Sequence, residues 1–252
     1  MSPSDGSRTP LFAACLLSTA YLPPVEYFFA IANSGRVLIE QHEHFQKQSW
    51  RNRCRILAAG GPEDLTIPVV KEERRERPIR DIRIDYGEPW LQHHVRGFEA
   101  AYHSSAFYDY YAGDLIPLLE RKPVFLFDLN MSLLERLMEL LDLHVPISLT
   151  THYCAQYSDV TDGAPLRSDN PLPSQKKCSV NGLSPALLRF LDGRQRIQPK
   201  YKGESLLAEY GCQQAYYQVF VNRRPGAGFI PNLSVLDLLS AEGPAARDFL
   251  RI

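Results

Sequence analysis

Residues 16–40 read LLSTAYLPPVEYFFAIANSGRVLIE, and this stretch decides the fold class. Leu16 to Tyr21 is short, apolar and ends at Pro23-Pro24, the pattern of a buried strand running into a turn. Proline suits the first helical position. Val25, Phe28, Phe29 and Ala32 then recur at helical spacing and make one apolar face. Asn33-Ser34-Gly35 stops the helix, and Arg36 to Glu40 reads as a second strand. Strand, helix, strand with short links is the βαβ unit, which favours parallel neighbours and a right-handed crossover. The expected class is α/β, an N-terminal βαβ unit in a mixed sheet.

Further along, Cys54 to Leu57 and Leu65 to Val70 flank Gly60-Gly61-Pro62 and predict a hairpin. Lys71 to Arg77 mixes four basic with three acidic residues, which reads as a solvated loop rather than a nucleic-acid tract. Ile79, Ile82 and Ile84 suggest a short strand before Pro89. A helical middle segment follows: Leu91, Val95, Phe98 and Tyr102 share one face, as do Leu126, Leu129, Leu133, Leu137 and Leu140 behind Pro123. Tyr102, Phe107, Tyr108, Tyr110 and Tyr111 form an aromatic cluster read as core. Ile147 to Thr151 is β-branched enough for a strand, and residues 158–178 make a long loop. Asn232 is placed to cap a last helix from Leu233 to Ala241. One domain over residues 1–252 is expected, its first ten residues frayed.

Composition narrows the function classes. The 252 residues carry 28 Lys+Arg against 29 Asp+Glu, so no global field draws the chain to nucleic acid or an anionic membrane. Five scattered cysteines without a C-x-x-C fit neither a zinc ribbon nor a disulfide scaffold and favour the cytoplasm. The apolar run from Leu11 to Ala32 contains Pro23-Pro24 and Glu26, which a spanning helix would have to tolerate in its middle, so no transmembrane segment is expected. Neither G-x-G-x-x-G, the P-loop, G-x-S-x-G nor His-Glu-x-x-His appears, and no cofactor or oligomeric state can be named.

The densest polar segment, EQHEHFQKQSWRNRCR (Glu40 to Arg55), directly follows the second strand, where open α/β sheets bind ligands. His42 and His44 share a face if the strand continues, and with Glu40 and a remote carboxylate they could bind a metal; the alternative is two half-exposed histidines at a sheet edge. Arg51, Arg53 and Arg55 alternate, so they can line one face beside Lys47, Asn52 and Trp50. Guanidinium forks suit phosphate or carboxylate and an indole can stack on a base or sugar. The alternative is a cationic strand face paired with acids such as Asp81 and Asp85. His94 is expected to pack near Phe98, with His93 pointing away. Near the C-terminus, a strand over Tyr216 to Val221 would turn Gln218 away from the core and into a cleft.

The stretch from Leu17 to Ile56 strongly resembles the opening of the bacterial WbqC-like family, where Y-x-P-x-x-Y-F leads a helix and a Lys-x-Ser/Thr-aromatic-x-Asn-Arg signature follows a strand. Tyr21, Pro23, Tyr27, Phe28, Lys47, Ser49, Trp50, Asn52 and Arg53 sit on that pattern. The likeness continues through LTIPV (65–69), IRDIRIDYGEPW (79–90), His94, Tyr102 and Phe107. Pro199-Lys200 and YYQVFVNRRPGAGFIPNLSVLDLLSAEGP (216–244) resemble the family's Bacteroidetes branch; Ser158 to Leu191 matches least. The family takes its name from surface-polysaccharide (O-antigen) gene clusters. The resemblance therefore implies a transferase of glycan or nucleotide-sugar assembly acting on an anionic or nucleotide-activated small molecule. A non-catalytic scaffold of such a pathway is the alternative. On that reading Lys47, Trp50, Arg51, Asn52, Arg53, Tyr21 and Gln218 bind substrate, and His44, with His42 beside it, is the candidate acid/base because imidazole titrates near neutrality. The first unit is also similar to the start of nucleotidyltransferases. Those carry a His-x-Gly-His turn, whereas Pro24-Val25-Glu26-Tyr27 here holds no histidine.

Overall fold

The first strand, β1 (Phe12–Ser18), is the hub of the molecule: it is apolar along its length because both of its edges and both of its faces are covered. It pairs in parallel with β2 (Val37–Glu40) on one side and with β6 (Arg189–Asp192) on the other. The third strand of that sheet, β5 (Ile147–Leu149), lies parallel to β2, so the order is β5-β2-β1-β6. These are features of a computed structural model that describes residues 9–71, 77–154, 189–222 and 228–252. The charge run at 71–77 lies largely, and the 158–178 loop and most of the N-terminal ten residues lie, outside the described residues.

Between β1 and β2 runs α1 (Val25–Ala32), buried on every side except at its last residue. It packs on the C-terminal 3-10 run Gly243–Leu250, on α5 (Leu206–Glu209) and on α7 (Val235–Glu242). Pro24 stands at its N-cap rather than inside its first turn, with extended backbone. The exposed amides of that turn are taken by protein atoms: Val25 N–H donates to Leu233 O at 3.0 Å and Glu26 N–H to Asn232 Oδ1 at 3.1 Å.

The connection from β2 to β5 holds a hairpin and the three longest helices. Strands β3 (Arg53–Ala58) and β4 (Gly61–Thr66) form the expected hairpin, with Ala59 and Gly60 as its turn and Gly61-Pro62 already in β4. Against it packs α2 (Trp90–Tyr102), then come α3 (Tyr108–Glu120) and α4 (Leu126–Leu140). The helical middle segment is thus present, and α/β describes the whole.

Five local expectations need correction. Of the aromatic cluster read as core, Phe107 and Tyr110 are exposed, while Tyr102, Tyr108 and Tyr111 are buried. Ile79, Ile82 and Ile84 do not form a strand: Ile79–Asp81 is a 3-10 turn, Ile79 and Ile82 are buried, Ile79 N–H donates to Glu43 O at 2.7 Å, and the flanking residues make only isolated bridges. Tyr216 to Val221 is not extended either, since α6 (Val219–Asn222) begins there. Asn232 does not cap the last helix; Ser234 does, accepting from Leu236 N–H at 3.3 Å, while Asn232 (φ 58°) reaches across to α1. Pro123 does not open α4, whose N-cap is Phe125.

Candidate functional site

In an open parallel sheet, ligands bind beyond the carboxyl ends of the strands, where successive connections depart in opposite directions. Here the chain leaves β1 toward β2 and β5, and returns to the far side of β1 as β6. The switch point therefore lies between the ends of β1 and β6. A crevice of about 280 Å³, part of it open to solvent, is found there. Ser18, Thr19, Ser49, Trp50, Arg51, Arg194 and Gln198 supply its polar walls, and Leu17, Tyr27 and Ile197 its apolar ones. Gly193 forms part of its floor: a Cβ there would stand 2.5 Å from Leu17 Cδ2 and 3.2 Å from Ile197 Cδ1.

The charged walls are held from behind. The Arg51 guanidinium is buried and fastened to Glu43: Nε donates to Oε1 at 2.8 Å, and Nη2 meets Oε2 more closely. Nη2 also donates to Ser18 Oγ at 2.9 Å, and that hydroxyl donates to Glu43 Oε2 at 3.1 Å. Since both carboxylate oxygens face the guanidinium, the trio fixes where Ser18 stands. Tyr27 OH donates to Ser18 O at 2.8 Å, and burial lifts its own pKa well above the tyrosine range, so it remains a donor.

On the β6 side, Arg194 donates from Nε and Nη2 to Asp192 at 3.0 and 2.7 Å, and from Nη1 to the Cys154 carbonyl. Glu40, fully buried at the end of β2, lies 3.6 Å from Arg194 and accepts from Thr150 Oγ1, His42 N–H and Cys154 N–H. This carboxylate ties together the ends of β2, β5 and β6 and the segment after β5.

Two polar groups of the crevice are not held. Thr19 is 2% exposed and Trp50 6% exposed, yet neither Thr19 Oγ1 nor Trp50 Nε1 has a hydrogen-bond partner among the described residues. A buried hydroxyl or indole N–H left unpaired costs about 1–3 kcal/mol; seven other buried side-chain atoms among the described residues are also unpaired, but these two belong to residues that line one crevice.

Of the residues expected to bind substrate or act as acid/base, Trp50 and Arg51 line this crevice and the others do not, whereas Tyr27 and Ser49 of the family pattern also line it. His42 is half-buried, its Nε2 3.1 Å from Thr150 O, and His44 is exposed on a bridge to Pro78. Among the described residues, no group of three or more His, Cys, Asp or Glu is arranged to hold a metal ion. Arg53 and Arg55 share a face as expected, but their partner is Asp64 on β4 rather than Asp81 or Asp85, at 3.0 and 2.7 Å. Arg51 lies before β3 and does not join them. Arg55 also stacks over Trp50, 5.4 Å from its ring centre. Asn52 locks the chain by donating to Ile67 O at 2.6 Å, and Lys47 is exposed.

Tyr21 is fully buried against His94, OH to Nδ1 2.9 Å, and burial pulls the His94 pKa down to about 4. Gln218 is buried as well: its amide exchanges hydrogen bonds with the Ile230 backbone and donates to Asp237 Oδ2 at 3.2 Å. Ser18, Thr19, Glu43, Arg194 and Gln198 were missed. Ser18 ends the first strand and Thr19 follows it, but the switch point needs β6 as well, most of which falls inside the stretch that matched the family least.

Among the described residues no helix is long and apolar enough to cross a membrane. The description "WbqC-like protein family" matches residues 19–165, more than half of the chain. The chain belongs to the WbqC-like family. It is 28% identical to the uncharacterized protein Rv1507c of Mycobacterium tuberculosis over 237 residues, covering 94% of this chain and 96% of that protein. No solved structure matches the chain.

Proposed function

We propose that the protein is a transferase acting on an activated small molecule, with the crevice between β1 and β6 as its substrate site. The observation that carries this reading is the pair of unpartnered groups, Thr19 Oγ1 and Trp50 Nε1, in a crevice at the switch point of a parallel sheet. The preorganised Ser18–Glu43–Arg51 trio supports it, because rigidly held polar groups are what orientation of a reacting substrate needs. The family's association with surface-polysaccharide gene clusters supports a place in glycan or nucleotide-sugar assembly. Unpaired Cys15, Cys54, Cys154 and Cys212 suit a reducing cytoplasm. His42 and His44 lie outside the crevice and receive no step.

A scaffold role is the second reading, favoured by one observation: His42, His44, Lys47 and Arg53 do not converge on a common pocket. Thermal shift with nucleotide sugars, nucleotides and acyl carriers at millimolar concentration separates the two. A ligand present at about 100 times its Kd stabilises the fold by about 2.7 kcal/mol, a shift easily read. The transferase reading expects at least one such ligand, and a new product by mass spectrometry when an acceptor is added. If no compound in the panel moves the melting temperature, the scaffold reading takes its place.

A further inference from the structure

We infer that the crevice receives the uncharged, hydroxyl-bearing end of the substrate, a sugar ring, while Lys47 and Lys200 at its rim hold the phosphate end. This rests on the reading of the crevice as the substrate site. The argument is one of charge. The lining cations are Arg51 and Arg194, and both are already neutralised, Arg51 by Glu43 and Arg194 by Asp192 with Glu40 behind it. Two guanidiniums against three carboxylates leave these groups with a formal charge of -1. A phosphate dianion placed among them would gain no net attraction while losing its water. The remaining polar groups are neutral: the Ser18 and Thr19 hydroxyls, the Trp50 indole N–H and the Gln198 amide. A ring bearing several hydroxyls both gives and receives hydrogen bonds, so it can meet a donor such as Trp50 Nε1 and a donor-acceptor such as Thr19 Oγ1.

The segments that line the crevice carry two exposed lysines, Lys47 and Lys200, for which no carboxylate partner is found among the described residues. Lys47 is exposed, two residues before Ser49, which lines the crevice. Lys200 follows Gln198, another lining residue, by two, and its ammonium donates to the Gln48 side chain, which joins the two rim segments. Lysines so placed act as point charges for a phosphate that stays partly in water.

The chain has only two tryptophans, Trp50 and Trp90, so indole N–H resonances report on the crevice with Trp90 as the internal control. The signals are assigned with Trp50→Phe. The probes are glucose, galactose, mannose, N-acetylglucosamine and rhamnose, their 1-phosphates, and pyrophosphate. The expected result is that at least one neutral sugar moves the Trp50 signal and leaves Trp90 in place. Its 1-phosphate should bind more tightly, and Lys47→Ala with Lys200→Ala should remove that gain, about tenfold, without changing affinity for the neutral sugar. If pyrophosphate moves the Trp50 signal and no sugar does, the crevice takes the anion and the inference is overturned, while the crevice survives as a binding site. If no probe moves the Trp50 signal, the crevice reading itself fails and this inference with it.

Discussion

Arg51 and Glu43 meet side-on behind the end of β1, Nε to Oε1 at 2.8 Å, with both side chains almost wholly removed from solvent. Removing one member leaves the other charge buried and unpaired, the costly way to break such a pair. Arg51→Ala and Glu43→Ala are each expected to lower the free energy of unfolding by about 3–5 kcal/mol in urea titrations. A loss under about 1 kcal/mol would mean that the pair is solvated and does not fix Ser18.

Two neighbouring residues, Asn232 and Ser234, divide the duties of capping. Ser234→Ala should cost about 0.5–2 kcal/mol, since its hydroxyl serves Leu236 N–H and donates to Leu22 O. Asn232 sits at φ 58°, so Asn232→Ala should be less stable than Asn232→Gly by about 1 kcal/mol, although both lose the bond to Glu26 N–H. Equal stabilities for the alanine and glycine variants would contradict the left-handed backbone there.

Gln218 illustrates where the sequence misled. An alternating strand would have sent it into a cleft; because the backbone enters α6 instead, its amide turns inward and clasps Ile230. Gln218→Ala is therefore expected to cost about 1–3 kcal/mol of stability. It should leave ligand affinity unchanged, and a selective loss of binding with full stability would restore the original expectation.

The parts of the fold that were legible share one property: local pattern and burial agree. In α1 and β2 the apolar residues that the spacing assigns to the core are there except the half-buried Ala32, and the leucine face of α4 is likewise buried except at Leu140. The misses have separate causes. Gly113 and Pro117 within α3 disguise a helix whose buried Tyr108, Tyr111, Leu115 and Leu119 follow the helical period. Ile79 and Ile82 fit a 3-10 turn as well as a strand, since three-residue spacing falls on one face of the former. The site was half legible. Trp50 and Arg51 were found through their residue types, whereas the crevice depends on β6, a four-residue strand placed by a partner distant in sequence.

Two buried groups titrate in opposition. Burial raises the Asp237 pKa to about 6, so it binds a proton in the native state at pH values where the unfolded chain has lost it. Its contribution is fully present below the unfolded value and is lost as pH rises through 6, about 3 kcal/mol in all. His94, pushed down to about 4, is neutral when native while the unfolded residue protonates, so its contribution is present above pH 6.5 and is lost as pH falls toward 4. Between pH 4 and 6 the slopes oppose each other. Relative to the wild type, Asp237→Asn should therefore gain stability as pH rises from 4 to 6, and His94→Gln should lose it. Parallel pH–stability curves for the wild type and both variants would contradict these assignments.

The central claim, that the crevice keeps polar groups unpaired for a ligand, is tested most directly by the unfolding free energy of Thr19→Val. This substitution removes the hydroxyl at nearly constant shape. Because Thr19 Oγ1 is buried without a partner among the described residues, the valine variant is predicted to be as stable as the wild type or more stable by about 1 kcal/mol. A loss of more than about 1 kcal/mol would show that the hydroxyl is satisfied in the folded protein and is not held in reserve for a substrate.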